Sequence, residues 1–166
     1  MRIFAENRPV MKMLFIGAMF LFLAAAGGNL HAQSPKLIVG ERAPELKILE
    51  WLTAPPAAGG TTRLVEFFHS SSRPSVDRLA VLDALAKKYA GRVTVVVIAR
   101  EPKDKIAPFF GAQPHAFSIA LDDGGKTFTA YNVQFVPFSV VIDGRGKLRW
   151  FGNPSDLTDA IIENNL

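Results

Sequence analysis

The sequence predicts an α/β fold in three layers, in which a central mixed β-sheet lies between helices. A strand–helix–strand unit from Arg63 to Ala99 and a strand–strand–helix unit from Phe138 to Leu166 predict it. The first unit requires a parallel pair of strands and the second an antiparallel pair, so one sheet contains both. A ferredoxin-like sandwich is the nearest alternative. The chain of 166 residues suits one such domain and a short additional segment.

The first unit is predicted from apolar runs and helical spacing. Arg63–Phe68 and Arg92–Ala99 are short apolar runs, which are typical of parallel strands covered on both faces. Between them, apolar residues recur at helical spacing over Pro74–Tyr89, with proline in the first turn and Gly91 at the end. A preceding strand is predicted over Glu45–Trp51.

The second unit contains shorter elements. Asp-Gly is a strong turn signal, and it predicts a hairpin across residues 143–146. Ser155 is the expected N-cap of the last helix. The predicted elements are a short helix or loop at Glu101–Phe110, a strand at Phe117–Leu121, a helical turn at Thr127–Tyr131, hairpin strands at Phe138–Ile142 and Lys147–Phe151, and a helix at Asp156–Leu166.

The N-terminus has the pattern of an export signal. A basic start is followed by an apolar stretch over Met13–Ala26 and by small residues up to Ala32. We therefore expect a signal peptide at residues 1–32, a domain at residues 33–166, and a periplasmic or secreted protein. The alternative is a retained anchor, which the short apolar stretch disfavours because a span needs about 20 residues. A membrane is expected as a partner only if this segment is retained.

Charge and cysteine content narrow the function classes. Residues 33–166 hold 16 basic and 14 acidic residues, and this net charge of +2 does not favour nucleic acid as a partner. The chain has no cysteine, so a lipid anchor and structural disulfides are both excluded, and stability must come from packing. Its 13 phenylalanines supply material for a core, where Phe67, Phe68 and Phe135 are expected. The alternative is that these three offer apolar contacts to a ligand.

Two motifs about 60 residues apart carry a resemblance to a known family. Leu64–Ser75 runs from a hydrophobic strand through Ser-Arg-Pro-Ser into a helix, and Tyr131–Gly146 reads Tyr-Asn-Val-Gln-Phe-Val-Pro-Phe-Ser-Val-Val-Ile-Asp-Gly-Arg-Gly. Together they resemble the TlpA/ResA-type thiol-disulfide oxidoreductases of the thioredoxin-like superfamily. The resemblance covers residues 40–164 and implies the thioredoxin fold.

The resemblance also implies a site. Ser72 and Ser75 stand where the family has its two catalytic cysteines, and Pro137 stands at the family's cis-proline. Val136 would offer its backbone edge to an extended peptide, as in strand addition. The alternative for Pro137 is an ordinary trans proline that opens a strand.

Four further residues complete the predicted site. Arg73 and Pro74 lie between the two serines, and Arg73 can add a charge-assisted hydrogen bond to a ligand. His69 precedes them in the turn. Glu66 stands where classical thioredoxins keep a buried proton-shuttling acid, whose burial would raise its pKa. The alternative is that Glu66 reaches a polar edge or pairs with a lysine.

These features favour a non-catalytic module that binds a protein or peptide in the groove beside Pro137. A serine hydroxyl cannot form a mixed disulfide, so the chain as written is expected to be redox-inactive. The main alternative is a disulfide reductase whose catalytic cysteines were replaced. A serine enzyme using His69, and a purely structural role, are weaker alternatives. The sequence predicts no cofactor and no metal site.

Overall fold

The computed structural model describes residues 36–57, 59–111 and 114–166. The predicted signal peptide and the first residues after it lie outside this part of the chain. The described residues form six strands and four helices. The strands are β1 (Ile48–Trp51), β2 (Thr62–Phe68), β3 (Val93–Ala99), β4 (Ser118–Asp122), β5 (Phe138–Ile142) and β6 (Leu148–Gly152). The helices are α1 (Arg73–Lys88), α2 (Lys103–Phe110), α3 (Lys126–Ala130) and α4 (Asp159–Glu163), with a 3₁₀ turn at Pro154–Asp156.

The strands form one mixed sheet in the order β1-β4-β3-β2-β5-β6. The pairs β2–β3 and β3–β4 are parallel, whereas β1–β4, β2–β5 and β5–β6 are antiparallel. This confirms the predicted α/β architecture. The central strand β2 pairs with β3 on one side and β5 on the other, so the start of α1 and the start of β5 lie at the same end of the sheet.

Successive side chains of β2 point to opposite faces of the sheet, and each face is covered by its own layer of the core. Leu64 and Phe68 pack on the face covered by α1, α2 and α4, whereas Val65 and Phe67 pack on the face covered by α3. Glu66 shares the face of Leu64 and Phe68. The only charged residue of β2 that is buried therefore faces α1 from inside the core.

Two predicted elements were too long. The first strand begins at Ile48 rather than Glu45. Lys47 N donates to Thr127 Oγ1 of α3 at 2.8 Å, and its carbonyl oxygen accepts from Asp123 N at 2.9 Å. The last helix begins at Asp159, and Ser155 is not its N-cap. Thr158 caps α4 by accepting a hydrogen bond from Ile161 N, while Asn153 caps the preceding 3₁₀ turn.

Within residues 36–57, 59–111 and 114–166, no helix has the length and apolar character needed to cross a bilayer.

Candidate functional site

The two serines occupy the first turn of α1. Ser72 is the N-cap, and its Oγ accepts a hydrogen bond from Ser75 N at 3.4 Å. Ser75 is only 2% exposed, and its hydroxyl has no hydrogen-bond partner. Pro74 is tolerated in the first turn of α1 because N–H groups there have no intrahelical acceptor. The N–H that proline lacks therefore costs the helix no hydrogen bond. Ser72 is therefore partly exposed, whereas Ser75 is buried.

The second wall of the site is the segment before β5. The Val136–Pro137 peptide bond is cis, the geometry that the resemblance implies. Ser72 Oγ donates a hydrogen bond to the Val136 carbonyl oxygen at 3.4 Å, which brings the two motifs into direct contact. We call the surface formed by Ser72, Arg73, Pro74, Val136 and Pro137 the serine groove.

Arg73 and Pro74 lie on the exposed rim of the serine groove. Arg73 Nε donates to Asp77 Oδ1 at 2.8 Å, one helical turn further along α1. Both side chains of this pair are largely exposed, so the pair contributes little to stability and Arg73 is available to a ligand.

His69 is a turn residue. Its Nδ1 lies 2.9 Å from Ser71 Oγ and accepts a hydrogen bond from Ser71 N at 3.2 Å. Glu101 fixes the same turn by accepting hydrogen bonds from the N–H and the hydroxyl of Ser70, each at 2.6 Å. Glu101 Oε1 is also 3.5 Å from His69 Nδ1. Ser71 and Glu101 thus face the same ring nitrogen of His69. In a catalytic triad the serine and the acid contact opposite nitrogens of the histidine.

Glu66 lies beneath the first two turns of α1. It is 1% exposed and accepts a short hydrogen bond from Ser139 Oγ. Its Oε1 is 3.4 Å from Arg78 Nε. Burial raises the pKa of Glu66 to about 7, although the Ser139 hydrogen bond and the Arg78 charge act to lower it. Glu66 is therefore a buried acid, and the charged side chain beside it is an arginine rather than a lysine.

Four buried side-chain atoms in the described residues have no hydrogen-bond partner, and three of them belong to Glu66 and Arg78. The atoms are Glu66 Oε1, Ser75 Oγ, and Nε and Nη2 of Arg78. Sequence reasoning missed Arg78 and Ser139. One signal pointed to Arg78, because it lies three residues after Ser75 and residues at this spacing share a helix face. Ser139 lies opposite Glu66 in the β2–β5 register, which no local pattern reveals.

The phenylalanines near the groove divide into core and surface. Phe67 and Phe68 are fully buried, which confirms their expected core position. Phe135 was wrongly expected in the core: it is 51% exposed, directly before Val136, and its ring packs edge-on against Phe138 at 5.5 Å. An apolar surface residue therefore lies directly beside the groove.

No group of three or more His, Cys, Asp or Glu residues able to hold a metal ion occurs among the described residues. The serine groove contains no histidine and no carboxylate, so its chemistry is that of the Ser72 hydroxyl, a backbone edge and one guanidinium.

Comparison with solved structures establishes the fold. A thioredoxin-like superfamily protein superposes with a TM-score of 0.64 at 20% identity, over 75% of this chain and 95% of that chain. A thiol-disulfide isomerase from Corynebacterium glutamicum gives 0.57 at 18% identity, over 80% and 94%. The pneumococcal exposed lipoprotein thioredoxin from Streptococcus pneumoniae gives 0.56 at 19% identity, over 64% and 84%.

These likenesses define the class of the molecule as a thioredoxin-fold protein, and the ferredoxin-like alternative is rejected. No family model matches the chain. No curated protein matches it either. The structures that share this fold include a thiol-disulfide isomerase, whereas this chain has no cysteine.

Proposed function

We propose that this chain is an exported thioredoxin-fold protein that binds a polypeptide in the serine groove and does not exchange disulfides. One observation carries the proposal: the serine-capped start of α1 faces the cis Val136–Pro137 bond, with Ser72 Oγ 3.4 Å from the Val136 carbonyl oxygen. The groove keeps a backbone edge beside a helix N-terminus, yet supplies hydroxyls where disulfide exchange requires a thiolate.

The backbone of Val136 is suited to pairing with an extended chain. Its N–H donates to no protein group within the described residues. Among the same residues, its carbonyl oxygen is engaged only by Ser72 Oγ, and 3.4 Å is long compared with about 2.8 Å for an ordinary O–H···O bond. A peptide N–H can therefore displace this contact, and the half-exposed ring of Phe135 offers apolar surface to the peptide's side chains.

Export is supported by the basic and apolar pattern of residues 1–32. A solved structure of the same fold is named as an exposed lipoprotein thioredoxin. The expected mature protein begins at Gln33, and N-terminal sequencing of protein recovered outside the cytoplasm tests this site directly. Recovery with residue 1 or residue 11 at the N-terminus contradicts cleavage.

The binding test uses an unfolded probe with no free thiol, namely reduced and carboxymethylated α-lactalbumin. Fluorescence polarisation of the labelled probe is expected to show binding to the full chain. Phe135→Ala should weaken it by about tenfold, the effect of truncating one aromatic contact. Val81→Ala is the matched control, since Val81 is 45% exposed on α1 and lies outside the serine groove. Absence of binding, or equal losses in both variants, contradicts the proposal.

The redox test is insulin reduction with dithiothreitol as the reductant. The chain as written is expected to add nothing to the rate of the dithiothreitol blank, because a hydroxyl is not a nucleophile toward disulfides. Catalysis by the unaltered chain contradicts redox inactivity.

A second candidate is a disulfide reductase whose catalytic cysteines were replaced, and the burial of Ser75 favours it. An unpartnered hydroxyl is costly to bury, whereas a thiol is a weak hydrogen-bonding group that behaves as a small apolar residue. Position 75 therefore suits cysteine better than serine. On this reading Ser72→Cys/Ser75→Cys reduces insulin: the dithiol passes two electrons to the insulin disulfide and becomes a disulfide, which dithiothreitol reduces.

Single variants control that experiment. Ser72→Cys alone and Ser75→Cys alone lack the second thiol needed to resolve a mixed disulfide, so neither should turn over. An inactive double variant that is folded by circular dichroism rejects this candidate. An active double variant assigns the site to redox chemistry lost with its thiols, and the lactalbumin assay still decides whether the groove binds polypeptides.

A further inference from the structure

A pocket of about 190 Å³ lies between residues 42–46 and the end of the sheet that is remote from the serine groove. Its inner wall contains Arg63 at the start of β2 and Ile142 at the end of β5, which are opposite each other in the β2–β5 register, together with Tyr131 after α3. We call it the Arg63 pocket. The serine groove follows the other end of β2, so the proposed peptide site does not include this pocket.

The outer wall of the Arg63 pocket is fixed to the body of the domain. Ala43 N donates to the Gly146 carbonyl oxygen at 2.9 Å, and the Tyr131 hydroxyl donates to the Pro44 carbonyl oxygen at 2.6 Å. Burial raises the pKa of Tyr131, so its hydroxyl keeps the proton that this hydrogen bond requires. The pocket is therefore preformed, which lowers the entropic cost of holding a ligand.

Arg63 brings a positive charge that no described residue pairs with. Its side chain is partly buried, yet it forms neither a hydrogen bond nor an ion pair with any residue in the described part of the chain. The Arg63 charge acts to lower the pKa of Tyr131 against the effect of burial, which shows that the guanidinium lies near this inner wall. A planar guanidinium in such a position is suited to a carboxylate, because the two groups form paired hydrogen bonds.

Further donors come from residues 42–46. The backbone N–H groups of Glu45 and Leu46 donate to no acceptor among the described residues. The exposed side chain of Arg42 lies at the rim of the pocket and likewise has no ion-pair partner there. The lining thus offers two guanidinium groups and two backbone amides to an anion.

The charge of the lining matches a single negative charge. Its one carboxylate belongs to Glu45, whose side chain is 76% exposed and pairs with Lys47. The two arginines and this one glutamate give the lining a net charge of +1. Outside the lining, Glu41 and Lys147 lie beside Arg42, and their opposite charges cancel. A monoanion therefore fits this balance better than a dianion does.

We propose that the Arg63 pocket binds a small aliphatic monocarboxylate, with Arg63 and Arg42 as the ligands of its carboxylate group. The hydrocarbon part of the ligand lies against the apolar side chains of Ala43, Leu46 and Ile142, which belong to one hydrophobic layer. The volume is below the roughly 300–1,000 Å³ of sites for larger ligands, so the ligand has only a few heavy atoms.

The test is a titration of the ¹⁵N-labelled full chain at constant pH and ionic strength with sodium butyrate, 1-butanol and sodium sulfate. Butyrate is expected to shift the amide signals of Glu45 and Leu46 in a saturable manner at millimolar concentration, because their N–H groups are free to donate to it. Butanol has the same chain without the charge, and sulfate has charge without the chain. Absence of saturable shifts with butyrate, or equal binding of butanol or sulfate, overturns the proposal.

Matched variants separate a site from general surface charge. Arg63→Gln and Arg42→Gln should each weaken butyrate binding by about tenfold, the effect of losing one charge-assisted contact. Arg100→Gln is the control, because it removes the same charge from an exposed arginine that follows the other end of β3. Equal weakening by Arg100→Gln overturns the proposal. Arg42 is exposed, so its variant tests binding even if Arg63→Gln unfolds.

Discussion

The buried carboxyl of Glu66 makes the stability of this protein depend on pH in an unusual direction. Its pKa rises from 4.5 to about 7 on folding, chiefly because burial disfavours the charged form. A group whose folded pKa is raised stabilises the fold fully below its unfolded pKa. That stabilisation is lost as the pH rises through the folded pKa. For Glu66 the window is pH 4.5 to about 7.

The size of the effect follows from the same two values. One pH unit is worth about 1.4 kcal/mol, so the interval from 4.5 to about 7 corresponds to about 3 kcal/mol of unfolding free energy. Glu66→Gln removes the titration while keeping the shape of the side chain. It also leaves Arg78 with a neutral partner, as protonated Glu66 does. We expect the variant to match the unaltered chain at pH 4 and to exceed it by about 3 kcal/mol at pH 8.

The measurement is urea unfolding of both proteins from pH 4 to pH 8, with the difference between them plotted against pH. Titrations elsewhere in the chain are common to both proteins and cancel in that difference. Glu50→Gln is the control, because the Glu50 side chain is 44% exposed and its pair with Lys103 lies on the surface. A difference that does not change with pH would refute the reasoning. A difference of opposite sign would show that the Arg78 charge outweighs burial.

Four further substitutions test the packing of the fold and site, each by urea unfolding. Ser72→Ala should cost about 1 kcal/mol by removing the N-cap of α1, whereas Ser75→Ala should be neutral or stabilising because it removes a buried hydroxyl without a partner; equal losses in the two would contradict this account. Gly144→Ala should cost about 1–3 kcal/mol, because the added Cβ would lie 2.6 Å from the Gly60 carbonyl oxygen. An unchanged urea midpoint would mean that the turn moves to accept the Cβ without cost. Phe67→Ala should cost about 3–5 kcal/mol, since the ring is fully buried, and a loss below about 1 kcal/mol would show that the layer beneath it collapses into the space.

Much of the fold and part of the site could be predicted from local signals in the sequence. The apolar runs of β2 and β3 identify buried strands, and Pro74 marks the first turn of α1, because each signal acts within a few residues. Asn132 has a left-handed φ of 48°, which asparagine adopts more readily than most residues. The absence of cysteine fixes, without any structure, that Ser72 and Ser75 cannot form a disulfide.

Tertiary structure decided the features that depend on distant residues. Ser139 meets Glu66 across 73 residues, because the β2–β5 register places them opposite each other. The N-cap of α4 is Thr158 rather than Ser155, because Ser155 belongs to a separate 3₁₀ turn that Asn153 caps. The sequence therefore determined which segments form strands and helices and which chemistry the site lacks. Only packing decided that a buried acid would pair with Arg78 and that Phe135 would face solvent, because those outcomes depend on where the sheet brings separate segments together.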